Sequence, residues 1–320
     1  MPPTSAASAS SAVTSNETAS MSVLESKAMT LEEALDVAGW PKSLLAPEKR
    51  PKIVTDLREF EQLLLFESHI DRVLVLRDGV RRLNHAHALP TQLVEAAGSG
   101  ETSVRRFLAQ LGDDAALKEL RGRLYYTPPG SRDERELTKD GEGEPLDTLA
   151  AKRAALKERD PDGGVYVGEL RRVTKYRHQQ DGRYTKTLLS HGVCDWLGRT
   201  RASAMPYWDR YDEGVFVGGR FGGSPMHVDQ VIWSNVGKSF GGYKLLAIWA
   251  YGERSRELFD EHNYALFVPP LSASEAAALE EACCVALLGP GDVVIFSGGN
   301  AHMALSVSEV TGATLPALRL

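Results

Sequence analysis

The residues best suited to chemistry are two histidines and an aspartate in the last third of the chain. His227 and Asp229 are separated by one residue, so on an extended strand their side chains leave the same face and could bind one ion. His302 is the natural third ligand because it follows a buried-strand run over 293–296 and a Gly-Gly turn. Two imidazoles and one carboxylate form a facial triad that leaves coordination positions open on a non-haem metal. The spacing therefore predicts a metal site, the alternative being hydrogen-bonded polar residues on a strand.

The sequence that flanks these three residues follows a pattern. Ser224-Pro225-Met226-His227-Val228-Asp229 comes after Val217-Gly218 and before Gly242-Tyr243-Lys244. The pattern continues with Val268-Pro269-Pro270, with Pro290-Gly291-Asp292 and with the distal His302. This arrangement, over about the last hundred residues, resembles the JmjC-type Fe(II)/2-oxoglutarate oxygenases. That family shows a Ser/Thr-Pro-Leu-His-x-Asp block followed by a Gly-x-Lys.

The resemblance implies a role for each matching residue. The triad would bind Fe(II), with 2-oxoglutarate and O₂ as cosubstrates. Lys244 would pair with the distal carboxylate of 2-oxoglutarate, and Ser224 and Asn235 would also contact this cosubstrate. A chelating keto-acid needs such a cation at a fixed distance from the metal. Lys238, expected in a Gly-Lys-Ser loop, is the alternative cation.

A second large group of 2-oxoglutarate oxygenases takes its cation shortly after the distal histidine. This chain has Gly312 at that position, and the only later cation is Arg319 beside the C-terminus. Lys244 is therefore favoured as the residue that binds the cosubstrate.

The second half of the chain has the sequence pattern of a β domain. Short apolar runs separated by Gly, Pro and Asp predict strands over 165–167, 215–217, 231–233, 245–249, 265–268, 285–288 and 293–296. One helix is expected after the capping box Ser272 to Glu275, over 276–283. The glycine cluster 218–223 is expected to form a tight turn or bulge beside the metal strand. The fold class is α+β with a mainly β catalytic part, a cupin-like double-stranded β-helix or jelly roll.

The chain is expected to divide into four parts. Residues 1–28 are Ser/Ala/Thr-rich and predict a disordered tail, and 29–130 predict a mixed, mostly helical N-terminal region. Within it, helices are expected from residues 31 and 56 and over 93–97, 104–111 and 117–124, with a strand over 73–76. Residues 131–162 are a charged connector with a solvated helix over 146–156, and 163–320 are the JmjC-like domain.

Composition limits the partners and the compartment. A net charge of -6 gives no overall attraction to nucleic acid or to an anionic membrane. The local exception is 171–186, which contains six cations and one acid. This stretch is expected to be either a solvated segment or a docking patch for a substrate or nucleic acid. Three cysteines without CxxC spacing indicate an intracellular protein, cytoplasmic or nuclear. The sequence contains no apolar run of the ~20 residues that a membrane span needs.

The predicted activity is hydroxylation, or oxidative demethylation, of a C-H bond, with a protein side chain as the expected substrate. Two alternatives stay open: a catalytically inactive cupin-like binding or scaffold module, and a zinc or other metal hydrolase with the same three ligands. Four further histidines are expected outside the site. His85 and His87 read as loop residues, and His191 and His262 as surface residues.

Overall fold

The computed structural model describes residues 28–66, 73–79, 120–129, 131, 135–139, 144–146, 149–160, 164–172, 214–229, 234–297, 299–308 and 310–317. Over these residues the protein is an α+β fold of helices and mainly antiparallel sheets. The helices are α1 Leu31–Ala38, α2 Leu57–Phe66, α3 Leu149–Lys157, α4 Glu253–His262 and α5 Ala273–Glu280, with 3₁₀ turns at Lys42–Leu45 and Pro47–Lys49. None of these helices has the length and apolar character needed to cross a bilayer.

The strands belong to three sheets. They are β1 Lys52–Val54, β2 Leu74–Leu76, β3 Leu120–Thr127, β4 Arg135–Glu136, β5 Thr138–Lys139, β6 Glu144–Pro145, β7 Gly164–Arg172, β8 Gly214–Gly218, β9 Gly223–His227, β10 Ser234–Gly241, β11 Lys244–Trp249, β12 Cys284–Leu288, β13 Val293–Ser297, β14 Ala301–Ser306 and β15 Val310–Ala317. A nine-stranded sheet has the order β1-β2-β13-β10-β15-β8-β7-β3-β4, a four-stranded sheet has the order β12-β11-β14-β9, and β5 pairs with β6. The β1–β2 pair is parallel.

The two larger sheets face each other across a shared apolar core. The nine-stranded sheet contributes Val75, Val294 and Phe296, and the four-stranded sheet contributes Leu246 and Ile248. Alternate residues of one strand point to opposite faces, so the even-numbered residues of β11 face the other sheet. The inner face of the four-stranded sheet is therefore the even-numbered side of β11.

Helices cover the outer face of the four-stranded sheet. Leu245, Ala247 and Trp249 of β11 join a second core with residues of α1, α4 and α5. The Trp249 indole N–H donates to the carbonyl of Ala278 in α5 at 2.8 Å. Because both faces of β11 are buried, its sequence reads as a continuous apolar run after Lys244.

Two helix starts were predicted from capping boxes, and both are confirmed. The Thr30 hydroxyl accepts from the N–H of Glu33 at the start of α1, and Ser272 caps α5 through Glu275 in the same way. The second helix begins at Ala273, directly after its cap Ser272 and three residues earlier than expected, and it ends at Glu280. Capping residues satisfy N–H groups of the first turn, so they mark a helix start more reliably than the apolar run behind it.

The predicted helix over 117–124 is wrong where the structure describes it. Residues 120–127 form β3, which pairs antiparallel with β7 from Leu120 opposite Arg172 to Thr127 opposite Gly164. Leu124 and Tyr126 are buried while Arg123 is exposed, which is the two-residue alternation of a strand. Long-range pairing outweighed local helix propensity here, so the region expected to be mostly helical also supplies β1, β2 and β3.

Three further expectations around the site are corrected. Residues 265–268 are irregular instead of a strand, and they follow Tyr264 with a left-handed φ of 60°. The polar segment before them is helix α4, and its last residue His262 is 8% exposed and packs against Phe267, so it is not a surface residue. Lys238 lies within β10 and not in a loop.

Other expectations lie wholly or partly outside the described residues. These are the tail up to residue 27, the strand 231–233, the helices 93–97 and 104–111, most of the basic stretch 171–186, and His85, His87 and His191. Within the charged connector, α3 carries Lys152, which is fully buried and donates to the carbonyl of Leu146.

The glycine-rich turn before β9 is confirmed, and it allows two strands to approach closely. A Cβ on Gly223 would lie 1.9 Å from the carbonyl oxygen of Ala304 in β14. Such a distance is excluded for any side chain, so only glycine fits. The close approach of β9 to β14 is what brings the predicted ligands together.

Candidate metal centre

The two histidines are cross-strand neighbours in the four-stranded sheet. His227 is the last residue of β9 and lies directly opposite His302 of β14. His302 also lies opposite Ile248 of β11, whose side chain is in the core between the sheets. Because directly opposed residues share a face of a sheet, both imidazoles belong to the inner face. Asp229 follows two residues after His227.

The three side chains are close enough to bind one ion. The candidate ligand atoms of His227, Asp229 and His302 all lie within 4.8 Å of one another. Each imidazole Nε2 is 3.6 Å from a carboxylate oxygen of Asp229, Oδ1 for His227 and Oδ2 for His302. Ligand atoms held at about 2.1 Å from an ion in octahedral geometry are separated by about 3 Å, so a small adjustment would suffice.

Both imidazoles are held in the tautomer that a metal requires. The Nδ1–H of His227 donates to the carbonyl of Pro225 at 2.6 Å, and that of His302 donates to the carbonyl of Asn300 at 2.9 Å. With Nδ1 protonated, the Nε2 lone pair is directed toward Asp229. Burial, and secondarily the charge of His227, lowers the pKa of His302 to about 4. His302 is therefore neutral near pH 7, which is the form that binds metals.

Asn235 reaches the third ligand from the opposite sheet. Its amide Nδ2 donates to Asp229 Oδ2 at 2.5 Å, and the residue is 2% exposed. The family resemblance had assigned Asn235 to the cosubstrate. In the structure its hydrogen bond goes to the carboxylate of the predicted metal ligand.

Lys244 lies on the same inner face as the triad, further along the sheet. It shares its face of β11 with Leu246 and Ile248, and Ile248 is opposite His302. Four residues of a strand span about 13 Å. The side chain is mostly buried, makes no hydrogen bond or ion pair to another described residue, and its pKa is lowered to about 8 by that burial. Lys244 is thus a mostly buried cation with no anionic partner among the described residues.

Two hydroxyl groups lie between the metal strand and the nine-stranded sheet. Ser224 Oγ of β9 and Tyr166 Oη of β7 are 2.8 Å apart. Tyr166 is 9% exposed and its ring lies 6.2 Å from that of Phe216 in β8. Sequence reasoning did not identify Tyr166, since an aromatic residue in an apolar strand carries no motif. The apolar run Val165-Tyr166-Val167 predicted the strand, but it did not predict which strand of the other sheet Tyr166 would meet.

The alternative cation occupies a different position. Asn235, Gly237 and Ser239 are buried alternate residues of β10, and Lys238 is one position out of step with them. Lys238 pairs with Val293 of β13, so it belongs to the nine-stranded sheet and not to the four-stranded sheet that carries His227, His302 and Lys244. Gly312 lies in β15 of the nine-stranded sheet, and Arg319 is outside the described residues.

Comparisons with known proteins give a weak likeness. No protein-family model matches the chain, and no curated protein matches it. Among solved structures, an X-ray structure of YcfD from Escherichia coli shares 14% identity at a TM-score of 0.39, covering 80% of this chain and 52% of that chain. YcfD, a ribosomal oxygenase, in complex with cobalt and succinic acid has the same identity and TM-score and covers 83% of this chain and 52% of that chain. The chain thus spans about half the length of these structures, and likeness at this level assigns no activity.

Proposed function

We propose that this chain is a JmjC-like Fe(II)- and 2-oxoglutarate-dependent oxygenase that hydroxylates, or oxidatively demethylates, a C-H bond on a protein side chain. The observation that carries the proposal is the combination of a three-ligand metal group with a mostly buried cation, Lys244, that has no anionic partner among the described residues and lies on the same inner face. We also assign the two facing sheets to the double-stranded β-helix class. The intracellular location is retained as an expectation from the cysteine content.

The composition of the ligand group supports an open metal site. Structural zinc sites close with four protein ligands, whereas two histidines and one carboxylate leave positions for other molecules. Among the described residues the group consists of His227, Asp229 and His302, and it contains no cysteine. Two imidazole nitrogens and one carboxylate oxygen are a ligand set that suits non-haem Fe(II).

Lys244 supports a dicarboxylate as the second ligand of the site. A mostly buried ammonium without an anion is costly, and the described residues give Lys244 none, so an anionic ligand bound there would offset this cost. Lys244 lies about 13 Å along the strand from the position opposite His302. A five-carbon diacid that chelates the metal by one end and the long side chain of Lys244 could together cover this distance, so that the other carboxylate meets the ammonium. The hydroxyls of Ser224 and Tyr166 would add hydrogen bonds on the side of the nine-stranded sheet.

The side chains of the chain itself would then have separate tasks. The two histidines and Asp229 would hold Fe(II), and Lys244 would neutralise and orient the distal carboxylate. Phe296 packs edge-on against His302 at 4.9 Å and, with Ile248, limits access of water to the triad from the core side. When bound, Fe(II) and 2-oxoglutarate supply the reductive activation of O₂, with oxidative decarboxylation of 2-oxoglutarate to succinate and CO₂.

The proposal predicts turnover of 2-oxoglutarate. Purified protein loaded with Fe(II) in air should convert 2-oxoglutarate to succinate, slowly without a protein substrate, and conversion should stop under argon. Succinate measured by mass spectrometry gives the rate. If Zn(II) instead supports a hydrolytic activity and Fe(II) supports no succinate formation, the hydrolase alternative replaces this proposal.

The pKa of Lys244 predicts how cosubstrate binding depends on pH. Burial lowers this pKa from 10.5 to about 8, so the free protein carries a charged ammonium below pH 8 and loses it above. Binding of the carboxylate above pH 8 must then take up a proton, and the Kd for 2-oxoglutarate should rise by up to about tenfold per pH unit. Calorimetric titration of the Fe(II)-loaded protein under argon, from pH 6.5 to 9.5, measures this slope. A Kd that stays flat through pH 9.5 would contradict a lowered pKa for the cation that binds the carboxylate.

A further inference from the structure

We propose that Asn235 is a positioning residue for the metal-binding carboxylate, which it orients from the opposite sheet and thereby tunes the affinity of the site for its ion. The inference deepens the proposed function and rests on the metal site within it. It differs from the role implied by the family resemblance, in which Asn235 contacts 2-oxoglutarate.

Asp229 is the ligand that most needs an external anchor. Each histidine lies in a strand, and its ring is fixed by the carbonyl two residues earlier. Asp229 follows the end of β9, and its side chain is 32% exposed. Among the described residues, its one hydrogen bond comes from Asn235. The rotation of this carboxylate therefore depends on that contact.

The position of Asn235 suits a rigid anchor. It lies in β10, which is hydrogen-bonded on both sides, to β13 and to β15, within the nine-stranded sheet. Its direct cross-strand partner is Phe296 of β13, the residue whose ring packs against His302. Directly opposed residues project from the same face, so one cross-strand pair contacts two of the three ligands. Residues of the nine-stranded sheet thus contact the triad from the side opposite the four-stranded sheet, in which the two histidines lie.

In the hydrogen bond between Asn235 and Asp229, the amide must be the donor. An ionised carboxylate only accepts hydrogen bonds, so at 2.5 Å the amide must present its Nδ2 side to Asp229 Oδ2. This leaves Oδ1 directed toward Nε2 of His227, at 3.6 Å. Hydrogen-bond partners of metal ligands are typically worth about 10- to 100-fold in metal affinity.

The test is a titration of the metal-free protein with Co(II) alone. Calorimetry and the visible absorption of the bound ion measure the binding. Asn235→Ala removes the donor, and Asn235→Leu removes it at nearly constant volume. Both should weaken Co(II) binding by about 10- to 100-fold. Ser239→Ala is the matched control, because Ser239 is a buried residue on the same face of β10, 4% exposed. Its Co(II) affinity should equal that of wild type.

A second readout separates positioning from cosubstrate contact. At saturating Fe(II), both Asn235 variants should keep the wild-type KM for 2-oxoglutarate. Wild-type Co(II) affinity in both variants would overturn the inference, and a raised KM at unchanged Co(II) affinity would return Asn235 to the cosubstrate. A wild-type protein that binds no Co(II) would refute the metal site itself, and with it the proposed function.

Discussion

Replacing Asp229 by alanine is expected to abolish Fe(II)-dependent consumption of 2-oxoglutarate. The substitution removes the only anionic ligand of the described triad and leaves the two imidazoles without the carboxylate that completes the group. Loss of a direct ligand should exceed the ~10- to 100-fold that outer hydrogen-bond partners contribute to metal affinity. Calorimetric titration with Co(II) and succinate formation with Fe(II) measure the two effects.

The control for Asp229→Ala is Asp260→Ala. Asp260 is an exposed acid in α4, so its removal changes the net charge equally without touching the triad. It should leave both Co(II) affinity and succinate formation at the wild-type level. Full activity in Asp229→Ala would remove this carboxylate from the metal site and contradict the assignment of the triad.

Replacing Lys244 by methionine is expected to have opposite effects on function and stability. Truncating one partner of a buried charge pair costs 2–5 kcal/mol, so the KM for 2-oxoglutarate should rise by about 30-fold to several thousand-fold. Metal affinity should change little, because Lys244 lies four residues along β11 from the position opposite His302. Steady-state kinetics and Co(II) titration separate the two quantities.

The metal-free Lys244→Met protein should also be more stable than wild type. Lowering the pKa from 10.5 to about 8 means that folding disfavours the ammonium. This cost is fully present below pH 8 and is relieved as the pH rises from 8 toward 10.5. Removing it should raise the free energy of unfolding by on the order of 1–3 kcal/mol at pH 7, reduced by the partial exposure of the side chain. Denaturant unfolding of the metal-free protein measures the gain.

Lys238→Met is the matched control for both effects. Lys238 is a lysine of β10 in the nine-stranded sheet, where it pairs with Val293 of β13. The variant should keep the wild-type KM for 2-oxoglutarate. A raised KM in Lys238→Met with an unchanged KM in Lys244→Met would transfer the cosubstrate role to Lys238.

The parts of the site that sequence predicted were those set by local spacing. His227 and Asp229 are two residues apart, and the Gly cluster before them marked the turn that lets β9 approach β14. His302 was placed in the group because it follows a buried strand, and the structure pairs it directly with His227. Capping boxes likewise marked α1 and α5, since each lies within four residues of sequence.

The parts that sequence did not predict depend on which strands face each other. Asn235 meets Asp229 across the two sheets, and Tyr166 meets Ser224 from a strand 58 residues away. Neither distance follows from spacing along the chain, because strand order and register decide it. The same cause explains β3, which was wrongly predicted to be helical because its pairing with β7 does not follow from local sequence.

The measurement that tests the central claim most directly is an anaerobic titration of the metal-free protein with Fe(II) and then 2-oxoglutarate. A chelated Fe(II)–keto-acid gives a weak charge-transfer band in the visible range. We expect this band in wild type and not in His302→Ala, with both proteins folded by circular dichroism. A folded wild-type protein that shows no band would contradict the proposed cosubstrate and favour the inactive binding module.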